Sequence, residues 1–463
     1  MTNWLPKRAA LKRPVYRSLV EVMTAAIADG TLEAGLKLPT QRDLARRLGI
    51  SLQTVGRAYD ELIRRGLVVG EVGRGSYVRA GRGQARTPFL TEHAERGLID
   101  LSILKPVVHN LHVERMQGAL AALSQHLEPD TVLSFRPNVG LTRHRSAAIG
   151  WLELCGLRTE PRNIVITNGV SQAMAVALTA VARAGDLVLT EEIGHHQLIP
   201  LASYLGLRLH GLEIDREGIL PEAFEAACGS REVRALFLEP SYANPTASLM
   251  PEERRRAMVA IARQHNVYII EDDAWGPLAE NRPPPFAALA PERALYMTSF
   301  TKCLMPGLRS GYLVVPDALV APVTSRQLAF AWTATPLVAE IAARWVTDGT
   351  ARELLLWQRA ALAERHAIVR EVLGGMPHFT HPNCLHIWLP LPEGWSVDQL
   401  VTHARLRGVA VAPASAFAVN ASTNPQAVRV SVGSPPSSAD LRRGLEAVAG
   451  LIAAAPEPVS LAL

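Results

Sequence analysis

Residues 296–313 read YMTSFTKCLMPGLRSGYL. An apolar, β-prone run from Ala294 to Met297 ends in small polar residues. Lys302 follows, and a Pro-Gly turn leads through Arg309 into a second apolar run ending at Val315. The pattern predicts two short strands with one lysine on the irregular segment between them. Desolvation disfavours an ammonium, so a lysine between buried strands gives up its proton readily. The neutral amine is the form that condenses with an aldehyde. Ser299, three residues earlier, and Arg309, seven later, are donors suited to a phosphate. A lone lysine in such a place is more often a solvated surface residue, so its meaning depends on the rest of the chain.

Upstream, short apolar runs alternate with helical stretches. The runs are 164–167, 187–190, 207–214, 235–238 and 267–270, and the helical stretches include 172–183 and 251–264. This alternation predicts an α/β domain with a parallel sheet covered on both faces, whose ligands bind beyond the carboxyl ends of the strands. The polar residues that follow the runs are therefore the candidates. Asn168-Gly169-Val170-Ser171-Gln172 opens a helix, where backbone N–H groups and a hydroxyl favour an anion. Asn244 lies in EPSYANPT, after Leu238. Glu271-Asp272-Asp273 follows Ile270, and a buried aspartate there needs a cationic or N–H partner.

A phosphate cup, an asparagine, an aspartate, a lysine and an arginine in this order describe a site for pyridoxal 5′-phosphate (PLP). The helix start at Val170, Ser171 and Gln172, with Ser299 and Arg309, would take the phosphate. Asp272 would face the pyridinium nitrogen, Asn244 the phenolate oxygen and Lys302 the aldehyde. ITNGVSQAM, NPT, IIEDDAWGPL, SFTKCLMPGLRSGYLV and AVRVSVG together resemble a fold-type-I aminotransferase from about residue 99 to the end. The resemblance implies that Arg429 holds an α-carboxylate. Without it, Arg429 reads equally well as a strand-edge arginine. It also places His195 where the family has an aromatic ring over the cofactor, although a surface His-His pair is the other reading. Two positions depart from the family pattern: Phe135 stands where a tyrosine commonly reaches a phosphate, and Trp275 where a tyrosine commonly donates to the phenolate oxygen. NPT is followed by Ala247 rather than glycine. Binding parts are kept while phenols are lost, which argues for cofactor binding and against efficient transamination.

The first 86 residues hold 16 Lys+Arg against 7 Asp+Glu, leaving 32 basic and 36 acidic residues for the remainder of a chain whose net charge is +5. A basic terminal block on a mildly acidic body predicts a polyanion-binding module. Val15 to Asp29 carries an apolar stripe (Leu19, Val22, Met23, Ala26 and Ile27) and Gly30 ends it. Thr40 caps a second helix with Asp43 as the capping-box partner. Gly49-Ile50 turns the chain and Ser51 caps a third helix from Leu52 to Arg65. There Val55, Ala58, Tyr59, Leu62 and Ile63 face inward, and Gly66 follows as the C′ glycine. This is a helix-turn-helix, whose second helix enters the major groove by its N-terminal end. That end carries Gln53, Thr54 and Arg57, suited to base edges or phosphate. The runs 67–71 and 75–79 form a wing with Arg74 at its tip. A generic three-helix bundle with basic faces is the plain alternative. The segments LPTQRDLA, SLQTVGRAYDEL and GRGSYV resemble the winged helix of GntR-type transcription factors, which adds Arg42 to the DNA contacts.

Residues 80–98 read as a solvated tether rich in Gly, Arg and Thr. No apolar run is long enough to span a membrane, and no secretory h-region stands at the N-terminus. Four dispersed cysteines read as free thiols of a reducing cytoplasm, with no metal-ligand spacing. The expected organisation is therefore a multidomain chain. A winged helix-turn-helix (1–79) and a tether (80–98) precede an α/β fold-type-I PLP aminotransferase-like domain (99–463), with a large part at about 160–330 and a small part at about 340–463.

Together the two blocks resemble the MocR/GabR regulators. The resemblance implies a cytoplasmic, head-to-tail homodimer that binds operator DNA and is not an enzyme, with residual half-transamination at most. It implies that an amine or amino-acid effector displaces Lys302 to form an external aldimine, with its carboxylate on Arg429. General likeness to regulators of ectoine utilisation adds an ectoine-derived diamino acid as the effector. The rival readings are a working aminotransferase with a vestigial DNA-binding domain, and a DNA-binding scaffold with a dead cofactor site.

Overall fold

A computed structural model describes residues 4, 6, 11, 13–28, 31–32, 36–64, 67–71, 75–78, 97–420, 423 and 425–454. Gly30, Gly66, Arg74 and positions 80–96 of the expected tether lie outside the described residues. The chain divides into two compact units, 1–90 and 91–463.

In the first unit, helices Val15–Ala28, Gln41–Leu48 and Leu52–Arg64 enclose a core of Leu19, Met23, Leu44, Leu48, Val55, Tyr59 and Leu62. Local chemistry sets the helix ends. Thr40 Oγ1 accepts the Asp43 N–H at 3.2 Å, while the Asp43 carboxylate pairs with Arg47 at 3.2 Å instead of closing the expected capping box. Gly49 ends the second helix at φ 60°, a left-handed conformation that glycine adopts without penalty. Ser51 Oγ accepts the Thr54 N–H at 3.1 Å and caps the third helix. Ile63, expected to face inward, is 42% exposed. The stripe Val55, Ala58, Tyr59, Leu62 already fills the inward face, and the next residue is turned about 100° away from it. Strands Val68–Glu71 and Gly75–Val78 form the antiparallel wing, with Val68 opposite Val78.

The second unit is built on a seven-stranded sheet. Its spatial order is Ile164–Thr167, Gly311–Val314, Ala294–Ser299, Tyr268–Asp273, Val233–Leu238, Leu187–Glu191 and Arg208–Leu212. Gly311–Val314 runs antiparallel to both neighbours; the remaining neighbours pair in parallel. One apolar cluster covers each face, with helix Val170–Val181 in one and helix Thr142–Leu154 in the other. The expected strand 207–214 is divided. It pairs in the sheet as far as Leu212, and Ile214–Asp215 forms a separate ribbon with Gly218–Ile219. Arg254 fixes that ribbon by binding the Asp215 carboxylate. A three-stranded antiparallel sheet, His386–Pro390, Ala427–Ser431 and Ala412–Pro413, follows the long helix Thr350–Leu373.

Candidate functional site

Strand Tyr268–Asp273 ends in three acids, and strand alternation sends the middle one to the opposite face from the other two. Glu271 meets buried Arg255 at 3.5 Å and accepts the Phe286 N–H at 2.7 Å. Asp273 accepts from buried Arg282 and from the Tyr296 hydroxyl. Asp272, fully buried, has no hydrogen-bond partner on either oxygen among the described residues. Burial, then the charge of Asp273, pushes its carboxyl up to about 8. A carboxyl so placed favours a cationic N–H donor.

Lys302 sits on the segment between Ala294–Ser299 and Gly311–Val314. Its Nζ donates to the Leu104 carbonyl. Burial, then the positive charges of Arg429 and Arg309, lowers its ammonium to about 8. Ser299 is buried at the end of its strand. Gly169, at φ 82°, precedes helix Val170–Val181. A Cβ at Gly169 would lie 2.9 Å from Arg309 Nη2. A Cβ at Gly311 would lie 2.7 Å from the Thr298 carbonyl and 3.2 Å from Gly169 Cα. The missing Cβ of Gly169 thus leaves the arginine its place against the helix start, and that of Gly311 lets its strand lie close to the same turn. Arg309 also donates to Thr301 Oγ1 at 3.0 Å. Ser171 Oγ donates to Gln197 at 3.1 Å, and Gln172 braces the turn by accepting the Asn168 N–H at 2.6 Å and donating to Gln327 at 3.0 Å. The first-turn N–H groups of Val170, Ser171 and Gln172 have no carbonyl within the helix to bond. With Arg309 beside them they form an anion cup.

Arg429 is buried, donates to Asn244 Oδ1 at 2.7 Å and to the Ser102 carbonyl, and lies 4.8 Å from the Phe417 ring. Its Nε has no partner among the described residues. Trp275 is buried 5.5 Å from the His386 ring, and its Nε1–H has no acceptor among the described residues. His195 is 12% exposed and its Nε2 lies 4.0 Å from Asp272 Oδ2. It stacks on His196 at 5.2 Å, so the pair exists but faces inward. Its Nδ1 accepts the Gln197 N–H at 3.3 Å, which puts the proton of the neutral ring on Nε2, toward Asp272. Burial lowers this imidazole to about 3. Phe135 is 74% exposed and packs against Trp332 at 5.9 Å.

Sequence reasoning missed Glu239, the residue after strand Val233–Leu238. It is buried, and it, His195 and Asp272 offer polar atoms within 4.8 Å of one another. Glu239 Oε2 accepts the Asn244 N–H at 3.1 Å, and the Glu239 N–H donates to Glu191 Oε1 at 2.9 Å. Burial, then Asp272 and Glu191, pushes its carboxyl well above the usual range. Its signal was its place at a strand end. In the first unit, Arg42, Gln53 and Arg57 are exposed and Thr54 is half-buried, its hydroxyl 2.8 Å from Ser51 Oγ.

A buried carboxyl without a hydrogen-bond partner among the described residues, a desolvated amine, an anion cup and a buried guanidinium fit PLP. When bound, that group supplies an aldehyde that condenses reversibly with amines.

Residues 97–448 match the family model for aminotransferase class I and II, and residues 15–78 match that for bacterial regulatory proteins of the gntR family. The HTH-type transcriptional regulator YdeF of Bacillus subtilis is 28% identical over 443 residues, covering 96% of this chain and 95% of that protein. The HTH-type pyridoxine biosynthesis transcriptional regulator PdxR of Corynebacterium glutamicum is 27% identical, covering 78% of this chain and 79% of its own. The solved structure of LysN, the α-aminoadipate aminotransferase of Thermus thermophilus complexed with N-(5′-phosphopyridoxyl)-L-leucine, has a TM-score of 0.70 at 22% identity. It covers 77% of this chain and 92% of that one, a likeness of fold.

Proposed function

The chain belongs to the aminotransferase class I and II family and carries a GntR winged helix ahead of that domain; from this premise we propose that it is a MocR/GabR-type, PLP-dependent transcriptional regulator. The observation that carries the reading is the buried Asp272 carboxyl, without a hydrogen-bond partner among the described residues and close enough to Lys302 for each to feel the other's charge. Similarity to HTH-type regulators along nearly the whole chain supports a regulator over a free-standing enzyme.

In this reading Lys302 offers its neutral amine to the cofactor aldehyde, and Asp272 holds the ring nitrogen. Val170, Ser171, Gln172, Ser299 and Arg309 hold the phosphate, and Asn244 and Trp275 donate to the ring oxygen. His195 lies against the ring. Arg429 takes the carboxylate of an amino-acid effector, for which an ectoine-derived diamino acid is the proposed class. With the cofactor bound, an effector's amine would take the place of Lys302 beside Asp272, and Arg429 would hold its carboxylate. Arg42, Gln53, Thr54, Arg57 and Arg74 contact operator DNA. The working division is a head at 1–79, a tether at 80–98 and a sensing body at 99–463, in a cytoplasmic protein.

A head-to-tail homodimer completes the proposal. Val132, Leu133 and Phe135 lie close in sequence and are exposed, as are Leu328, Phe330 and Trp332. Phe135 and Trp332 touch, joining the two segments, and a contiguous apolar surface of this kind marks an interface. The non-enzymatic reading rests on Phe135 and Trp275, which stand in place of proton-carrying phenols.

A working aminotransferase is the second reading, favoured by the intact set of Lys302, Asp272 and Arg429. The test is operator binding by fluorescence anisotropy in the presence of PLP and a panel of amino acids, with product formation followed in the same samples. The regulator reading expects operator affinity to change with at least one amino acid and fewer than about one turnover per site. Sustained turnover with unchanged operator affinity supports the enzyme and overturns the regulator.

A further inference from the structure

Residues 99–105 cross the candidate site as a strap. Ile99–Asp100 pairs in parallel with Val409–Ala410. The Ile99 N–H donates to the Gly408 carbonyl and the Leu101 N–H to the Ala410 carbonyl, both at 2.8 Å, and the Leu101 carbonyl accepts the Ser431 N–H at 2.7 Å. Leu101 is fully buried and lies against Gly444, where a Cβ would sit 3.0 Å from its side chain. Asp100 Oδ1 accepts the Ser102 N–H at 2.7 Å and its hydroxyl at 2.6 Å. Beyond that turn, the Ser102 carbonyl accepts from Arg429 and the Leu104 carbonyl accepts from Lys302. One short segment therefore occupies both cations that the proposed function assigns to other partners. The strap also lies directly after the expected tether, positions 80–98.

We infer that this strap is the element that registers occupancy of the site: ligand groups that take Lys302 or Arg429 withdraw the donors of the Leu104 or Ser102 carbonyls and loosen residues 102–105. The inference rests on the regulator reading above. A buried carbonyl that loses a charged donor loses one of its stronger hydrogen bonds. Ligand and strap compete for the same N–H groups, so the ligand binds the loosened state better, as any shift of a conformational equilibrium requires. By reciprocity, loosening the strap strengthens ligand binding. Ile99 and Leu101 keep their own ladder bonds, so the change concentrates at the 102–105 end and leaves the strap docked.

Hydrogen exchange of the full-length protein tests this on a peptide covering residues 101–106. The probes are PLP, which engages Lys302, and N-(5′-phosphopyridoxyl)-L-alanine, which has no aldehyde for Lys302 and offers its carboxylate to Arg429 instead. Their binding is followed by absorbance in the same samples. The expected result is faster exchange with each probe, by roughly tenfold for the second, the scale of one lost buried hydrogen bond. In the ligand-free protein, Arg429→Gln raises the same exchange. Asp100→Ala, which removes the brace at Ser102, also raises it in the ligand-free protein. Unchanged exchange with bound probe overturns the strap and leaves the cofactor reading standing. Failure of both probes to bind overturns the cofactor reading and the strap with it. If Arg429→Gln fails to fold, the wild-type comparison still decides.

Discussion

Glu271, Asp272 and Asp273 share one strand end, but only the flanking two have buried arginines, Arg255 and Arg282. Alternation turns the middle carboxyl to the opposite face from its two neighbours, within reach of the charge of desolvated Lys302. The lowered ammonium of Lys302, about 8, sets a pH dependence. Only the neutral amine attacks an aldehyde, so the rate of cofactor capture should rise roughly tenfold per pH unit below about 8 and level off above it. Stopped-flow absorbance between about pH 6 and 9.5 checks this, and a flat profile would remove Lys302 as the attacking amine. The sign for stability follows from the same shift. A folded value below that of an exposed lysine means the unfolded chain binds more protons between about 8 and about 10.4, so this residue's contribution to stability improves as pH rises through that window. Lys302, Asp272 and Arg309 were legible in the sequence because each has a chemical letter in a strand-end position. Glu239 stood in the same kind of position, but its closeness to Asp272 is a cross-strand relation that no spacing displays. The carbonyls of Ser102 and Leu104 have no letter at all, so their hold on Arg429 and Lys302 could be found only in three dimensions.

Two elements carry the remaining chemistry, and each gives a prediction. The turn from strand Ile164–Thr167 into helix Val170–Val181 depends on Gly169, where a φ of 82° strains any side chain and a Cβ would displace the Arg309 guanidinium. Gly169→Ala should weaken PLP binding by at least about tenfold, the scale of a strained left-handed residue, while operator binding without ligand stays unchanged. Unaltered PLP affinity by absorbance titration would remove Arg309 and the helix start from the phosphate site. Helix Leu52–Arg64, the proposed recognition helix, starts at a Ser51 cap and presents exposed Arg57. Arg57→Ala should cost about 1–3 kcal/mol of operator affinity if it reads a base edge and leave the cofactor spectrum intact. An unaffected binding isotherm would take it out of the interface. The head's elements were legible because caps and glycine turns are local chemistry. Ile63 was misplaced because an apolar letter one step beyond a filled stripe looks inward in a list and points outward on a helix. The divided run 207–214 failed similarly, since the break depends on distant Arg254.

At the scale of the whole molecule, a GntR winged helix and an aminotransferase-family domain share one chain, and the proposed regulator requires the second to alter what the first does. The exposed segment around Leu133 and Phe135, joined to Trp332, supplies the proposed contact between copies. Replacing Phe135 and Trp332 together with Glu should yield a monomer by sedimentation at micromolar concentration, since charge on an apolar interface is uncompensated. A persistent dimer would place the interface elsewhere. The order of the two units was legible from the basic block and the strand alternation, whereas the partner of the apolar surface was not, because an interface between copies has no periodicity within one copy. The most direct test of the regulator account is a paired anisotropy titration. Wild type and Lys302→Ala are each bound to operator DNA with PLP present, and candidate amino acids are added. The account predicts a change in operator affinity for wild type with at least one amino acid and none for Lys302→Ala, with equal affinities before addition. Equal responses from both proteins, or none from wild type with any amino acid that alters its visible spectrum, would contradict it.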